Sequence, residues 1–216
     1  MVVFPASLSA RDTADPELHR SVGRLLVPAI RYRDGYARHY DEQCSAALIH
    51  EPGRDASPFI LSAWHCIEHY RDLSRSLVFE SESGQRYAVR VLASGGSMHS
   101  DWALLRLPRS LPSPLAVEAG ADRHQPLKPI LAGFPHDAGL TTESDCRITG
   151  HDGQDLRTDC VLQQGASGGA VIDRGSAPRY LGVISRGDGE TQSIYVPVER
   201  FLARIRPYMA VSDRTR

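Results

Sequence analysis

Three short segments carry side chains that could perform acyl transfer together: Leu61-Ser62-Ala63-Trp64-His65-Cys66, Ser100-Asp101-Trp102-Ala103-Leu104-Leu105 and Gly165-Ala166-Ser167-Gly168-Gly169-Ala170. A serine hydroxyl is a poor nucleophile until an imidazole within hydrogen-bond reach takes its proton. The imidazole works best when a carboxylate fixes its tautomer. Glycines around the hydroxyl let the backbone bend so that neighbouring N–H groups converge on a developing oxyanion. Taken singly, a glycine-rich structural turn, a capping aspartate and a satisfied core histidine are the commoner uses of these residues. Their joint occurrence favours chemistry. A second motif overlaps the first, because His65-Cys66-Ile67-Glu68-His69 matches the HxxEH pattern of inverted zinc peptidases. It needs a long helix carrying both histidines and a third ligand from elsewhere. The flanks instead read as a strand before His65 and about one helical turn after it, so His69 is expected at the surface and no metal or organic cofactor is expected.

The elements that must position these residues are short and β-rich. Alternating or continuous apolar runs bounded by Gly, Pro and Asp predict strands over residues 25–32, 45–50, 59–63, 76–80, 86–93 and 102–107. His65 is thus expected to end a strand, Asp101 to precede one and Ser167 to lie in a turn. A second set is predicted over 130–134, 146–149, 170–173, 180–185 and 193–198. Between the sets, residues 108–129 carry Pro108, Pro112, Pro114, Pro126 and Pro129 and read as a connection. Residues 197–209 place Val198, Phe201, Leu202, Ile205, Tyr208 and Met209 on one face of a closing packing helix. Many short strands on either side of one linker predict an all-β protein of two halves.

The chain has 216 residues, 25 Lys+Arg against 26 Asp+Glu and a net charge of -1. That balance gives no electrostatic reason to expect nucleic acid or an anionic membrane as a partner. No apolar run approaches the roughly 18 residues that span a bilayer, so a soluble chain is expected. The first ten residues contain Ser7, Ser9 and Ala10 as at the end of an export signal, but lack a basic start. Cys44, Cys66, Cys146 and Cys160 fit no CxxC pair or common zinc spacing. Two disulfides are the simpler use, which implies an oxidising compartment, secreted or periplasmic.

The order His65, Asp101, Ser167 in these surroundings resembles the trypsin-like (chymotrypsin-fold) serine endopeptidases, and the resemblance covers most of the chain. Ala132-Gly133-Phe134-Pro135 is similar to a segment common in bacterial members, and Tyr180-Leu181-Gly182-Val183-Ile184-Ser185-Arg186-Gly187 to the family's substrate-binding strand. The resemblance implies two six-stranded antiparallel β-barrels with the active site between them, followed by the C-terminal α-helix. The halves are then 21–115, with His65 and Asp101, and 116–216, with Ser167. Residues 1–20 form an N-terminal segment left from a signal or propeptide. It further implies disulfides Cys44–Cys66 around the histidine and Cys146–Cys160 in the second barrel.

The same resemblance makes Ser167 the nucleophile, His65 the general base and then acid, and Asp101 its orienter, with Gly165 and Ser167 amides as the oxyanion hole. Substrate would lie against Val161, Gln164, Ser185, Arg186, Gly187 and Ser193, with Val161 at the base of the primary pocket. Because Val161 carries no charge, a small or medium apolar side chain is expected at the cleaved position. Asp188 and Glu190 would restore a basic preference if their loop folded inward. Ala166 stands where cleavage-activated relatives carry an aspartate for the new N-terminal ammonium, so that activation route is not expected. Ser21-Val22-Gly23-Arg24, faintly similar to a mature N-terminus of such enzymes, is accordingly read as first strand. The partners implied are protein or peptide substrates, with a monomer favoured. The competing class is a protease-like fold used only for binding.

Overall fold

Alternation of inward apolar and outward polar residues builds a first sheet that closes on itself. The computed structural model describes residues 20–68, 70, 72–118, 128–174 and 177–210. The N-terminal segment 1–19 and His69 lie outside these residues. Strands β1 (Val22–Arg33), β2 (Tyr36–Ile49), β3 (Ala56–Ser62), β4 (Leu77–Ser81), β5 (Arg86–Ser94) and β6 (Ala103–Pro112) form a closed barrel in the order β1-β2-β3-β6-β5-β4. Closure leaves no exposed edge around the ring, and Leu25, Leu48, Ile60, Leu61, Phe79 and Leu104 on its strands are fully buried.

The second half is a seven-stranded antiparallel sheet. It comprises β7 (Ile130–Gly133), β8 (Thr141–Glu143), β9 (Ile148–Asp152), β10 (Asp155–Thr158), β11 (Ala170–Asp173), β12 (Arg179–Gly187) and β13 (Ser193–Pro197), in the order β8-β7-β11-β12-β13-β10-β9. The mostly-β fold of a six-stranded barrel, a second antiparallel sheet and a C-terminal helix is the expected class, but the second half is a seven-stranded sheet where a six-stranded barrel was expected. Strands β8 and β10 were not predicted, since each has only three or four residues and little apolar content. The expected connection also begins later: β6 runs through Pro108 to Pro112 and pairs with β3 as far as Ala56.

The connecting chain ties the halves together. His50 N–H donates to Leu115 O (3.0 Å), Val117 N–H to His50 O (2.9 Å) and Tyr180 N–H to Ala116 O (2.8 Å). One apolar cluster accordingly runs from the barrel through Ile130, Tyr180 and Val196 to Phe201 and Ile205. The closing helix is interrupted: a 3-10 turn (Val198–Arg200) precedes α2 (Leu202–Ala210), with Phe201 at φ -132° and ψ -4° between them. Five of its six predicted face residues are buried, while Tyr208 is exposed. Among the described residues no helix is long and apolar enough to cross a membrane.

Three carboxylates are held below their ordinary 3.8: Asp72 by the Ser74 hydroxyl and His39, Asp159 by the backbone N–H and guanidinium of Arg147, and Asp188 by Thr191 and nearby backbone N–H groups. In the unfolded chain they take up protons near 3.8, while in the folded chain they stay ionised. The unfolded state therefore binds more protons below about pH 4, and stability falls as pH drops through that range. Thermal unfolding midpoints measured from pH 6 to pH 2 are expected to be flat above about pH 5 and to decline below pH 4.

Candidate active site

His65 reaches its place through a short helix anchored at both ends. After β3, whose Ser62 hydroxyl donates to Ser45 O at 2.7 Å, the chain enters α1 (Trp64–Glu68). His65 is therefore the second residue of a helix rather than the end of a strand. The Cys44–Cys66 disulfide ties that helix to β2, with a Cα–Cα separation of 6.1 Å. Cys146 and Cys160 form the second disulfide, so both expected bonds are present.

Asp101, fully buried, sits just before β6 and receives three donors. His65 N–H reaches Oδ1 at 2.9 Å, His65 Nδ1 meets Oδ2 at 2.8 Å, and the Ser185 hydroxyl donates to Oδ2 at 2.5 Å. A carboxylate facing Nδ1 accepts its proton in a hydrogen bond and leaves Nε2 as the free, basic nitrogen. The next residue, Trp102, is buried, its ring stacking on Phe201 at 5.1 Å and its Nε1–H donating to Ser100 Oγ at 3.0 Å.

Ser167 lies in the turn before β11, and that turn is pinned to the barrel. Ser45 N–H donates to Ser167 O at 2.7 Å and Gly168 N–H to Ile184 O at 2.7 Å. Gly168 has φ +84°, and a Cβ there would lie 2.2 Å from both Ser45 O and Ser62 Oγ, so only glycine fits. The Ser167 hydroxyl donates to Ser185 O at 3.2 Å and not to the imidazole.

Two peptide planes of the turn are fixed from behind. Gln164 O accepts from His136 N–H at 3.0 Å, and Ala166 O accepts from Gly169 N–H at 2.9 Å. A trans peptide points its N–H opposite to its carbonyl, so the Gly165 and Ser167 N–H groups face away from those anchors. Neither has an acceptor among the described residues. Ser45 adds a relay that sequence reasoning missed: Phe134 N–H donates to Ser45 Oγ at 2.8 Å, and Ser45 Oγ to Gly165 O at 2.9 Å. A lone serine within an apolar strand offers no signal of this.

His65, Gln164 and Ser167 line two adjoining clefts. One, of roughly 410 Å³, is walled by Leu162, Ala166, Ile184, Ser185, Gly187 and Ser193, with Arg186 at its side. Val161, expected at its base, is half-buried and does not line it. Leu162 does so instead, its N–H fixed by Ser193 Oγ at 3.1 Å. Asp188 reaches the rim, but its carboxylate accepts from the N–H groups of Glu190, Thr191 and Gln192, while Glu190 is exposed away from the cleft. The other cleft, of roughly 520 Å³, is walled by Arg31, Tyr40, Glu42, Gln43, His136 and Gly165. Arg31 and Tyr40 were not anticipated as site residues.

The donor set does not suit a metal. Cys44, Cys66 and His65 cluster within 4.8 Å, but the two sulfurs are spent in a disulfide. Helix α1 has five residues, about one turn, and cannot present the long ligating face that HxxEH requires.

A closed barrel packed on a second antiparallel sheet, with imidazole, buried carboxylate and serine gathered where they meet, is the architecture of a peptidase. The chain belongs to the family of trypsin-like peptidase domains, whose profile matches residues 44–178. The matched stretch contains the His65, Asp101 and Ser167 segments, and proteins or peptides are the substrates that such a domain implies. A comparison with the curated proteins finds no match.

Proposed function

We propose that the protein is a serine endopeptidase in which Ser167, His65 and Asp101 act as a triad. The observation that carries this reading is the double hydrogen bond from His65 to the buried Asp101, made beside the cleft that Ser167 shares. In this reading a rotation about χ1 turns the Ser167 hydroxyl from Ser185 O to His65 Nε2, a bond that commonly tightens only with substrate bound. Nε2 takes the proton as Oγ attacks the peptide carbonyl. The Gly165 and Ser167 N–H groups receive the oxyanion, and His65 then delivers the proton to the leaving amine. Water activated by His65 releases the acyl group.

The β12 edge at Ser185 to Gly187 lies beyond the residues that pair with β11, which leaves it available to an extended substrate. The pocket beside it presents Leu162, Ile184 and Ala166 with no unengaged carboxylate, which supports a small or medium apolar residue at the cleaved position. The two disulfides support a secreted or periplasmic location.

A fluorophosphonate probe tests the mechanism. One label per chain is expected, mapped by peptide sequencing to Ser167 and insensitive to chelators. Labelling elsewhere, or chelator-sensitive proteolysis without labelling, overturns the assignment. A protein that neither labels nor cleaves any peptide pool is a binding module. Cleavage profiling of a peptide library is expected to favour Ala, Val or Leu over Arg or Lys by at least about tenfold, the discrimination an uncharged pocket can supply.

A further inference from the structure

The strands β1 and β2 are far longer than the barrel needs. β1 pairs with β4 only from Gly23 to Leu26, and β2 pairs with β3 only from Ala47 to Ile49. Residues 27–29 and 44–46 are buried, but beyond them residues 30–33 and 36–43 project as a two-stranded ribbon, closed by Asp34 and Gly35 at positive φ. The base of this ribbon is the wall of the 520 Å³ cleft.

Register assigns its faces. Directly opposed residues point the same way, so Ala29 and Tyr40, Arg31 and Arg38, and Arg33 and Tyr36 share one face. Three arginines thus stand on the face that carries Arg31 and Tyr40 into the cleft. Arg31 and Arg38 are direct cross-strand partners, an arrangement of like charges that disfavours the ribbon itself. Arg31 lies over the Tyr40 ring at 5.0 Å, and neither Arg31 nor Arg38 has a carboxylate partner among the described residues. Arg33 faces only the exposed Asp34 at 4.0 Å. Asp41 on the opposite face pairs with Arg75 at 2.7 Å and Asp72 with His39, while Glu42, on the arginine face at the cleft, keeps its charge and accepts from Tyr40 OH at 2.9 Å, so the ribbon face carries three arginines against one carboxylate. Tyr36 stands 71% exposed on the arginine face, an aromatic surface with nothing packed on it.

The direction of substrate decides what this face meets. With the acyl half of the substrate along β12 and its side chain in the 410 Å³ pocket, the leaving half must cross Ser167 into the other cleft, under Arg31 and Tyr40. We propose that the arginine face of the β1–β2 ribbon selects substrates with acidic side chains on the leaving-group side of the scissile bond, within about its first four residues at about 3.3 Å per residue. This rests on the serine endopeptidase reading above. Guanidinium forks bind carboxylates bidentately, and a paired Arg31–Arg38 site would be relieved of its repulsion by such a guest.

The test uses internally quenched peptides that share one acyl half and carry either Glu or Lys on the leaving side, together with an acyl-aminocoumarin that has no leaving-side residues. Wild type is expected to favour Glu over Lys about tenfold in kcat/KM at low salt, with the preference shrinking as salt rises. The double variant Arg31→Gln/Arg38→Gln is expected to bring that ratio within about twofold while the coumarin substrate is hydrolysed as by wild type, and Arg31→Lys/Arg38→Lys to keep part of the preference. No preference in wild type, or one that survives in the Gln variant, overturns the proposal. If wild type hydrolyses none of these substrates, the endopeptidase reading is decided by the fluorophosphonate label instead. The surface is then judged by fluorescence anisotropy with the Glu peptide: binding about tenfold tighter to wild type than to the Gln variant supports it, and equal binding overturns it.

Discussion

Asp101→Asn is expected to lower kcat about 10⁴-fold while leaving the protein folded, the loss that follows when the imidazole of a serine peptidase is held in the wrong tautomer. The geometry explains why an isosteric change costs so much. Asp101 Oδ1 accepts the backbone N–H of His65, and Oδ2 accepts both His65 Nδ1 and the Ser185 hydroxyl. An asparagine satisfies the His65 backbone N–H only by keeping its carbonyl oxygen at the Oδ1 position. Its amide N–H₂ then occupies the Oδ2 position and points a donor at Nδ1. The imidazole must accept there, so its proton moves to Nε2, the nitrogen that takes the Ser167 proton in the proposed mechanism. Ser185 adjusts easily, because a hydroxyl can accept as well as donate. Steady-state kinetics with a thermal melt is the measurement. A variant of wild-type stability that retains more than about a tenth of wild-type kcat would remove Asp101 from the triad.

The parts of this arrangement that could be read from sequence are those whose constraints are local. Gly165 and Gly168 stand on either side of Ser167 because a Cβ at either would run into the barrel or the His136 backbone, and that need is written into four consecutive residues. The Cys44–Cys66 bond beside His65 was legible through the family resemblance, since the spacing of four cysteines alone leaves their pairing open. What escaped depends on how distant strands register. Val161 and Leu162 are adjacent, and Leu162, whose N–H is held by Ser193 Oγ from a distant strand, is the one that walls the pocket. The continuation of β6 through Pro108 and Pro112 is permitted by its pairing with β3, which shifts register between Ser57 and Phe59. The arginine face of the ribbon is invisible in one dimension, since Arg31 and Arg38 become neighbours only through the turn at Asp34 and Gly35.

Trp102→Ala is expected to destabilise the protein by about 3–5 kcal/mol, the range for truncating a fully buried aromatic. For a chain of this length that lowers Tm by about 10 °C. Trp102 has no exposed surface, stacks on Phe201, lies under the Arg204 guanidinium at 4.9 Å and ties its Nε1–H to Ser100. Arg204 in turn donates to Ser94 O at 3.1 Å, so the ring is where the barrel, the loop before β6 and helix α2 meet. Its loss leaves a cavity beside Ser100 and Phe201, next to the loop that carries Asp101. The barrel and the second sheet hold that carboxylate jointly, through His65 from one side and Ser185 from the other. A shift of the loop therefore misplaces the imidazole even in molecules that remain folded. Trp102→Phe keeps the stack but leaves a smaller cavity and loses the Ser100 bond, and is expected to cost about 1–3 kcal/mol, less than the alanine change, with kcat close to wild type. Measured well below the melting range, Trp102→Ala is expected to lose kcat as well as Tm. A variant that melts about 10 °C early yet turns over at the wild-type rate would show that Asp101 is placed by its own hydrogen bonds alone, and that the packing of Trp102 serves only stability.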